Sequence, residues 1–162
     1  MSVKEFVLKK LEENRGIPLS GEAIANSLSV SRAAVWKAVR ALEAEGYHIE
    51  AVPNQGYTLC TDNDLLSTQG ILPYLNPPLK SREIRVFPCL PSTNQEAKRM
   101  ALESAEQGSA VLAEEQSAGR GRLGRSFFSP RGNGLYMSVI LRPKADVSNA
   151  VLITTAAAVG VC

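Results

Sequence analysis

The sequence predicts an α+β chain built from two parts that follow different hydrophobic patterns. In residues 1 to about 60, apolar residues recur three times at helical spacing, and two short strand-like runs follow. From about Arg82 onward, strand-like runs alternate with helical patterns, which is typical of an α/β arrangement. The chain has 162 residues, enough for two domains, and its 44% hydrophobic and 21% charged content is ordinary for a globular protein.

The amino-terminal part predicts three helices followed by a hairpin. Ser20 and Ser31 stand where the N-caps of the second and third helices are expected, because a serine side chain can accept a free N–H of the first turn. Gly46 ends the third helix. Short strands are expected at residues 49–52 and 57–59. This order of elements is that of a winged helix-turn-helix.

The third helix is the expected DNA-recognition element, because its outward face carries cations and no acid before Glu43. The candidate DNA-binding residues are Ser31, Arg32, Ala33, Trp36, Lys37 and Arg40. Trp36 falls outside the apolar stripe, so we expect it to be at least partly exposed. Residues 1–61 carry seven basic and seven acidic side chains, so DNA binding would depend on segregated charge. A protein-interaction module of the same fold is the alternative.

A change of pattern near residues 61–68 marks the expected boundary between the two parts. We predict an amino-terminal domain at residues 1–62, a linker at residues 63–80, and a second domain at residues 81–162. The linker has apolar pairs that could form one or two short helices. Its Asn76-Pro-Pro78 run is expected to break any helix.

The second part predicts strands around one well-marked helix. The strands are expected at residues 83–87, 110–113 and 135–141. Thr93 and Glu96 fit a capping box that opens a helix running to about Gln107. A last helix, starting at Ser148 or Asn149, is rich in small residues and is expected to be buried.

Residues 119–125 read Gly-Arg-Gly-Arg-Leu-Gly-Arg and form the most informative stretch of the chain. Glycines let the backbone turn tightly and approach a ligand, and arginines are permanent, forked cations suited to phosphate or carboxylate. No acidic residue occurs from Gln116 to Leu141 to neutralise them. The stretch therefore predicts a site for the phosphate of a nucleotide. A solvated basic loop is the alternative.

The same stretch also matches the dinucleotide pattern Gly119-x-Gly121-x-x-Gly124. That motif needs a strand before the loop and a helix after it, so that pyrophosphate meets a helix N-terminus. Here turn residues and then a strand follow the loop, which excludes the dinucleotide reading. The Gly-Lys-Ser/Thr of a P-loop is also missing from the chain.

The sequence predicts neither a metal site nor a membrane segment. Cys60, Cys89 and Cys162 have no metal-like spacing and fit the reduced thiols of a cytoplasmic protein. His48 is the only histidine, and we expect it to be structural. Charged residues interrupt the first turns, so no secretory signal is visible. The longest apolar stretch is too short to span a bilayer, which needs about 20 residues.

Three segments behind the winged helix carry a resemblance to a known family. They are Ser92-Thr-Asn-Gln95, residues 116–125 with their Gly-Arg-Gly-Arg-Leu-Gly-Arg ending, and Phe127-Phe-Ser-Pro-Arg-Gly-Asn-Gly-Leu-Tyr-Met-Ser138. In this order they resemble the bifunctional biotin protein ligases that double as biotin operon repressors. The resemblance implies the first part of a class II synthetase-like α/β catalytic domain. It also implies an enzyme that forms biotinyl-5′-AMP from biotin and ATP.

The resemblance implies partners and site residues as well. Biotin would pass to a lysine of a carrier protein, a subunit of acetyl-CoA carboxylase, with Mg²⁺ accompanying the nucleotide. The implied biotin-binding residues are Ser92, Thr93, Asn94, Gln116, Arg120, Gly121 and Arg122. The implied adenylate loop comprises Gly119, Arg120, Gly121, Arg122, Leu123, Gly124 and Arg125. The resemblance also implies binding to operator DNA and formation of a homodimer when the ligand is bound.

Two other functions fit the same sequence. One is a winged-helix repressor whose second part senses a small ligand without catalysis. The other is a lipoate-type ligase, which the Gly-Arg-Gly-Arg loop and the winged helix disfavour. Members of the resembled family continue beyond the position of Cys162, with further strands, a lysine used in adenylation and a small β-domain. We therefore expect an amino-terminal fragment that exposes apolar surface and has little or no ligase activity by itself.

Overall fold

The computed structural model describes residues 1–143 and 150–161. The elements in chain order are α1 (Val3–Glu13), α2 (Gly21–Leu28), α3 (Arg32–Ala44), β1 (Ile49–Val52), β2 (Gly56–Leu59), α4 (Thr68–Ile71), α5 (Pro77–Lys80), β3 (Ile84–Phe87), α6 (Thr93–Leu102), β4 (Ala110–Ala113), β5 (Tyr136–Val139) and α7 (Ala150–Val161). Two 3₁₀ turns, Leu72–Tyr74 and Arg122–Gly124, supplement them. Helices and strands thus follow the two-part α+β order that the sequence predicts.

Serine caps define where the first three helices begin. The side chains of Ser20 and Ser31 accept the N–H groups of Ala23 and Ala34, as the sequence predicts. Ser2 caps α1 in the same way. Each cap satisfies a donor that the helix itself leaves unpaired. The start of helix α3 is therefore set by a local interaction.

The amino-terminal part closes around one apolar core. Helices α1 and α3 pack against each other, and the antiparallel hairpin β1–β2 covers one end with Ile49 opposite Leu59. The innermost side chains are Val7, Leu11, Val35, Val39, Leu42 and Leu59. Leu19 bridges to Tyr57 and so joins the segment before α2 to the hairpin. This arrangement confirms the predicted winged helix-turn-helix.

The linker is more helical than the sequence analysis allowed. The helical segments of the linker end at Tyr74, which confirms the break expected at Asn76-Pro-Pro78, but Pro77 also begins a further short helix, α5, that was not predicted. A proline at the first helical position loses no hydrogen bond, since that N–H has no partner within the helix. Ser67 caps the preceding helix α4 by accepting the N–H of Gly70.

The second part is a three-stranded sheet with one helix on it. The strand order is β3-β4-β5, with β3 parallel to β4 and β5 antiparallel to β4. Helix α6 packs on β4 and β5 and buries Met100 completely. Strand β4 lies in the middle, and all four of its residues are buried. Because β3 and β4 are parallel, their carboxyl ends meet at one edge of the sheet.

Three expectations about this part are wrong. Helix α6 ends at Leu102 and not near Gln107, because Ser104 takes a left-handed conformation with φ of 70°. Thr93 is the first residue inside α6 and makes no capping box with Glu96. Helix α7 is exposed and not buried, with Leu152 at 64% and Val159 at 73% exposure. The predicted starts of that helix, Ser148 and Asn149, lie outside the described residues.

Among the helices of the described residues, none is both long and apolar enough to cross a membrane.

We predict that Gly56→Ala destabilises the amino-terminal part more than Gly46→Ala. Both glycines have positive φ, 114° and 97°, so each alanine carries a backbone penalty of about 1–2 kcal/mol. A Cβ at Gly56 would also lie 1.9 Å from the carbonyl oxygen of Leu19, whereas at Gly46 its nearest neighbour is Leu65 Cδ1 at 3.5 Å. Urea unfolding should show an extra loss of about 1–3 kcal/mol for Gly56→Ala. Equal losses would contradict this account.

Candidate functional site

The candidate site forms where the parallel strands β3 and β4 end. The chain continues past these strands as two neighbouring segments, in which Leu90 pairs with Gln116. The N–H of Ser117 donates to the carbonyl of Leu90 at 3.0 Å, and that of Ala118 donates to Pro91 at 3.0 Å. This pairing brings Gln116 beside the start of α6.

The side-chain amide of Gln116 joins three parts of the chain. Its Oε1 accepts the backbone N–H of Thr93 at 2.8 Å and the Thr93 hydroxyl at 3.1 Å. Its Nε2 donates to Ser129 Oγ at 3.1 Å. Ser138 on β5 donates to Thr93 Oγ1 at 2.9 Å and also lies 3.3 Å from Asn94 Oδ1. In this network Ser138 donates its proton to Thr93 and Thr93 donates its proton to Gln116, so both hydroxyls have an acceptor.

This network explains why Thr93 does not cap its helix. Both polar atoms of Thr93 that would serve a cap are bound to Gln116 or Ser138. Glu96, the other half of the predicted capping box, binds Arg99 and Arg85. Hydrogen bonds from Arg99, and then from Arg85, hold the pKa of the Glu96 carboxyl below its usual range. The Glu96 carboxylate is thus occupied by these two arginines and does not bind the backbone N–H groups at the start of α6.

The Gly/Arg loop rises from a narrow antiparallel base. Gln116 N–H donates to Ser129 O at 3.0 Å, Phe127 N–H to Gly119 O at 2.9 Å, and Gly121 N–H to Arg125 O at 2.8 Å. The tip is the 3₁₀ turn Arg122–Gly124. A turn of three residues supplies no helix N-terminus for pyrophosphate, so the exclusion of a dinucleotide fold from the sequence is confirmed.

The tip of the loop holds a bulky residue in an unfavourable conformation. Leu123 has φ of 57° and ψ of 33°, the left-handed region, and its side chain is 94% exposed. Such a conformation costs an ordinary side chain about 1–2 kcal/mol. Phe128, at the foot of the loop, is also largely exposed. Two apolar side chains therefore stand in solvent beside the predicted anion site.

The loop arginines differ in their partners. Arg120 and Arg125 are exposed, and within the described part of the chain neither forms an ion pair with a carboxylate. Arg131 does, because Glu114 at the end of β4 lies 2.5 Å from its guanidinium. The sequence could not show this pair, since Glu114 precedes the acid-free run. Of the Arg122 side chain nothing is described.

The structure gathers some predicted site residues and leaves others unconnected. Thr93, Asn94 and Gln116 share one network, and Ser92 is buried directly before α6. Arg120 and Gly121 lie on the loop, away from any hydrogen bond to that network. Two network members, Ser129 and Ser138, were not predicted as site residues. Each is a polar residue inside an apolar run, a signal that could have identified them.

The predicted DNA-binding residues lie on the outer side of α3. Ser31 is used by its cap, and Arg32, Ala33 and Lys37 are exposed. Trp36 is 50% exposed, which confirms its predicted exposure. Arg40 lies over the Trp36 ring at 5.6 Å and binds Glu43 at 2.8 Å. Arg40 is thus partly neutralised, whereas Arg32 and Lys37 form no ion pair within the part of the chain that the structure describes.

A separate cleft of about 740 Å³ is lined by residues just before β1, by the linker, by the end of β4 and by residues that follow the Gly/Arg loop. Its lining includes His48, Asp62, Glu114 and Arg131. Because its polar groups are mostly already paired with each other, the Gln116 network and the adjoining loop remain the better candidate site.

Comparisons with known proteins match the two parts separately. Residues 3–58 match the family described as HTH domain, and residues 86–162 match the biotin/lipoate A/B protein ligase family. A relative from Bacillus subtilis, named bifunctional ligase/repressor BirA, is 38% identical over 143 residues, which cover 88% of this chain and 44% of the relative. A relative of the same name from Escherichia coli is 39% identical over 123 residues, covering 76% and 37%.

The chain therefore spans less than half the length of these curated relatives. A solved structure, the biotin protein ligase of Leishmania major in complex with biotinyl-5-AMP, is 32% identical to part of the chain. The match covers 49% of this chain and 30% of that one, with a TM-score of 0.39.

We predict that Gly119→Ala opens the base of the loop, whereas Gly121→Ala does not. A Cβ at Gly119 would lie 2.6 Å from Phe127 O and 2.7 Å from Ser129 Oγ, but at Gly121 the nearest atom is Arg125 O at 3.5 Å. Neither glycine has a positive φ, so the two variants differ mainly in this clash. Hydrogen exchange of the Phe127 amide should quicken about tenfold or more in Gly119→Ala, as expected for about 1.4 kcal/mol of lost local stability. The same rate in both variants would show that the contact does not hold the loop.

Proposed function

Residues 86–162 belong to the biotin/lipoate A/B protein ligase family and follow an HTH domain, and on this basis we propose that the protein is a biotin protein ligase that also represses transcription. The proposed reaction joins biotin to ATP, forming biotinyl-5′-AMP and pyrophosphate. Biotin then passes to a lysine of a carrier protein, a subunit of acetyl-CoA carboxylase. The relatives named as ligase/repressors support both halves of the proposal.

The observation that carries the proposal is the Thr93–Gln116–Ser138 network at the foot of an arginine loop. A ureido ring offers two N–H donors and one carbonyl acceptor, and hydroxyl and amide groups can match both kinds of atom. Thr93 and Gln116 are already fixed by their mutual hydrogen bonds. A polar ligand would therefore meet groups that need little reordering to bind it.

The loop supplies the charge that such a reaction needs. Attack of the biotin carboxylate on the α-phosphate brings two anions together, and pyrophosphate leaves with the electron pair of the broken P–O bond. Arg120 and Arg122, with backbone N–H groups of the glycines, are proposed to offset this repulsion and the charge that develops in the transition state. The exposed Arg120 and Arg125 have no carboxylate to release within the described residues.

Mg²⁺ enters the proposal as part of the nucleotide substrate. The sequence from Gln116 to Leu141 contains no acidic residue, and Glu114 is engaged by Arg131. Phosphate oxygens, rather than carboxylates of this loop, are therefore the proposed ligands of the ion, which would neutralise phosphate charge when bound.

The proposed repressor role rests on the cations of α3. Arg32 is exposed at the start of α3, where a recognition helix meets phosphates and base edges, and Lys37 is exposed near the middle of the helix. The first part has no net charge, so one copy offers little electrostatic attraction to DNA. We propose that biotin and ATP order the loop and promote a homodimer that binds operator DNA. Both proposed partners are cytoplasmic, so we expect the protein there.

We predict that Arg122→Gly impairs retention of the adenylate. The variant should still form biotinyl-5′-AMP but release it faster, because a guanidinium that holds its phosphate is missing. The matched control is Ser126→Gly, which adds the same flexibility at an exposed position just outside the adenylate residues and removes no charge. The assay follows adenylate release and biotin transfer to the carrier with the protein made from its full reading frame. If Arg122→Gly altered DNA binding alone, the protein would be a sensor and not a ligase.

We also predict that Arg32→Ala and Lys37→Ala weaken binding to duplex DNA from promoters of biotin genes. Each loss of a phosphate contact should reduce the slope of log affinity against log salt by about 1. Lys10→Ala is the control, because Lys10 lies on α1 and binds Glu13 at 3.1 Å. Titrations with and without biotin plus ATP test the proposed coupling. Unchanged affinity with these ligands would contradict ligand-dependent repression.

A further inference from the structure

A second group of reactive side chains lies on the outer face of the β1–β2 hairpin. The N–H of Cys60 donates to the carbonyl of His48 at 2.9 Å, which extends the ladder beyond the pair Ile49–Leu59. His48 and Cys60 are therefore opposite each other, and Glu50 is two residues along the same strand. Because side chains alternate across a strand, these three share one face, while Ile49 and Leu59 point into the core.

The three side chains come close enough to share an ion. One donor atom from each of His48, Glu50 and Cys60 lies within 4.8 Å of the others. In a tetrahedral zinc site, bonds of about 2.0–2.3 Å place neighbouring donor atoms about 3.3–3.8 Å apart. His48 and Glu50 are exposed, so small rotations of their side chains can close the remaining distance.

Asp62 adds an orienting contact to this group. Its Oδ1 lies 3.2 Å from Nδ1 of His48. A carboxylate that accepts the Nδ1 proton leaves Nε2 unprotonated and free to bind a metal, an arrangement common around histidine ligands. The same carboxylate lines the cleft next to Arg131 and Gly132, so the group borders the second part of the chain.

The charge of this face also favours a cation. Within the described residues, neither Glu50 nor Asp62 pairs with a lysine or an arginine. A divalent ion would neutralise both carboxylates and stabilise the Cys60 thiolate.

We propose that His48, Glu50 and Cys60 form a site for a zinc-class divalent ion, with Asp62 as a positioning residue. Nitrogen, oxygen and sulfur donors together suit Zn²⁺ and Co²⁺ and disfavour Mg²⁺, which prefers oxygen alone. On binding, the Cys60 thiol gives its proton to solvent and the thiolate takes the metal. A water completes the coordination. The proposal is independent of the ligase reaction, since it uses only residues of the amino-terminal part.

The ion would also link the two strands at the open end of the hairpin. An ion that binds only the folded chain stabilises it by mass action, by about 2.7 kcal/mol at a hundredfold excess over the dissociation constant. That stabilisation should appear as a rise in the unfolding temperature with Zn²⁺ and none with Mg²⁺.

The test uses Co²⁺ as a spectroscopic probe on the chain carrying Cys89→Ser and Cys162→Ser, so that Cys60 is the sole thiol. We expect a thiolate-to-cobalt charge-transfer band that saturates at one equivalent and disappears when Zn²⁺ is added. Adding Cys60→Ser should abolish the band, and His48→Asn should weaken cobalt binding at least tenfold. Asp62→Asn should weaken it about 10–100-fold. The matched control is Asp64→Asn, an exposed carboxylate two residues away, which should leave binding unchanged.

A second measurement uses the unsubstituted chain and needs no variant to fold. Zn²⁺ should slow alkylation of Cys60 and leave Cys89, which is exposed and outside the group, unaffected. The proposal is overturned if no charge-transfer band appears, if the band survives His48→Asn undiminished, or if Mg²⁺ displaces cobalt as well as Zn²⁺ does. Equal protection of both cysteines would also overturn it.

Discussion

Gln116 carries more of the second part than its single side chain suggests. One amide oxygen holds the first turn of α6 through Thr93, and the amide nitrogen holds the foot of the loop through Ser129. Thr93 is almost completely buried, so removing the amide would leave its backbone N–H and its hydroxyl proton without the acceptor that they now share. Leaving a buried group unsatisfied costs about 1–3 kcal/mol, more than an average hydrogen bond contributes. Loss of the Gln116 amide should therefore disturb both the polar network and the base of the loop. The hydrogen bonds that position the candidate site also stabilise the fold of the second part.

The sequence predicted those features that depend on neighbouring residues. Ser20 and Ser31 were recognisable as caps because a cap involves only the following turn. Prediction from the sequence was wrong where a residue distant in the chain binds the same atoms. Thr93 fits a capping box locally, but Gln116, twenty-three residues later, takes its N–H and its hydroxyl. His48 and Cys60 likewise have no recognisable spacing, because only the register of the hairpin sets them opposite each other.

The expectation for α7 failed for a different reason. Its small apolar residues predict burial, yet the described residues expose Leu152 and Val159. An apolar composition makes burial of a helix favourable, but burial also requires a second apolar surface against which the helix can pack. Strand β5 shows a similar apolar face, with Met137 and Val139 exposed. The Gly/Arg loop differs from these two apolar surfaces, because exposed arginines are stable in water without a protein partner. Their positive charge is therefore free to interact with an anionic ligand.

The contacts of Glu114 limit the energetic coupling between the Gly/Arg loop and the amino-terminal part of the same chain. Its carboxylate contacts Arg131 beyond the loop at 2.5 Å and accepts the N–H of Leu66 in the linker at 3.4 Å. A ligand that rearranged Gln116 and Ser129 would disturb this contact, which lies two residues from each. Arg131 is 60% exposed, however, and ion pairs of this kind contribute about 0–1 kcal/mol. A coupling of about 1 kcal/mol changes an affinity only about fivefold. Under the proposed repressor role, stronger control of DNA binding would therefore require the proposed homodimer, in which two copies of α3 would bind at once and raise the affinity far more than a single contact does.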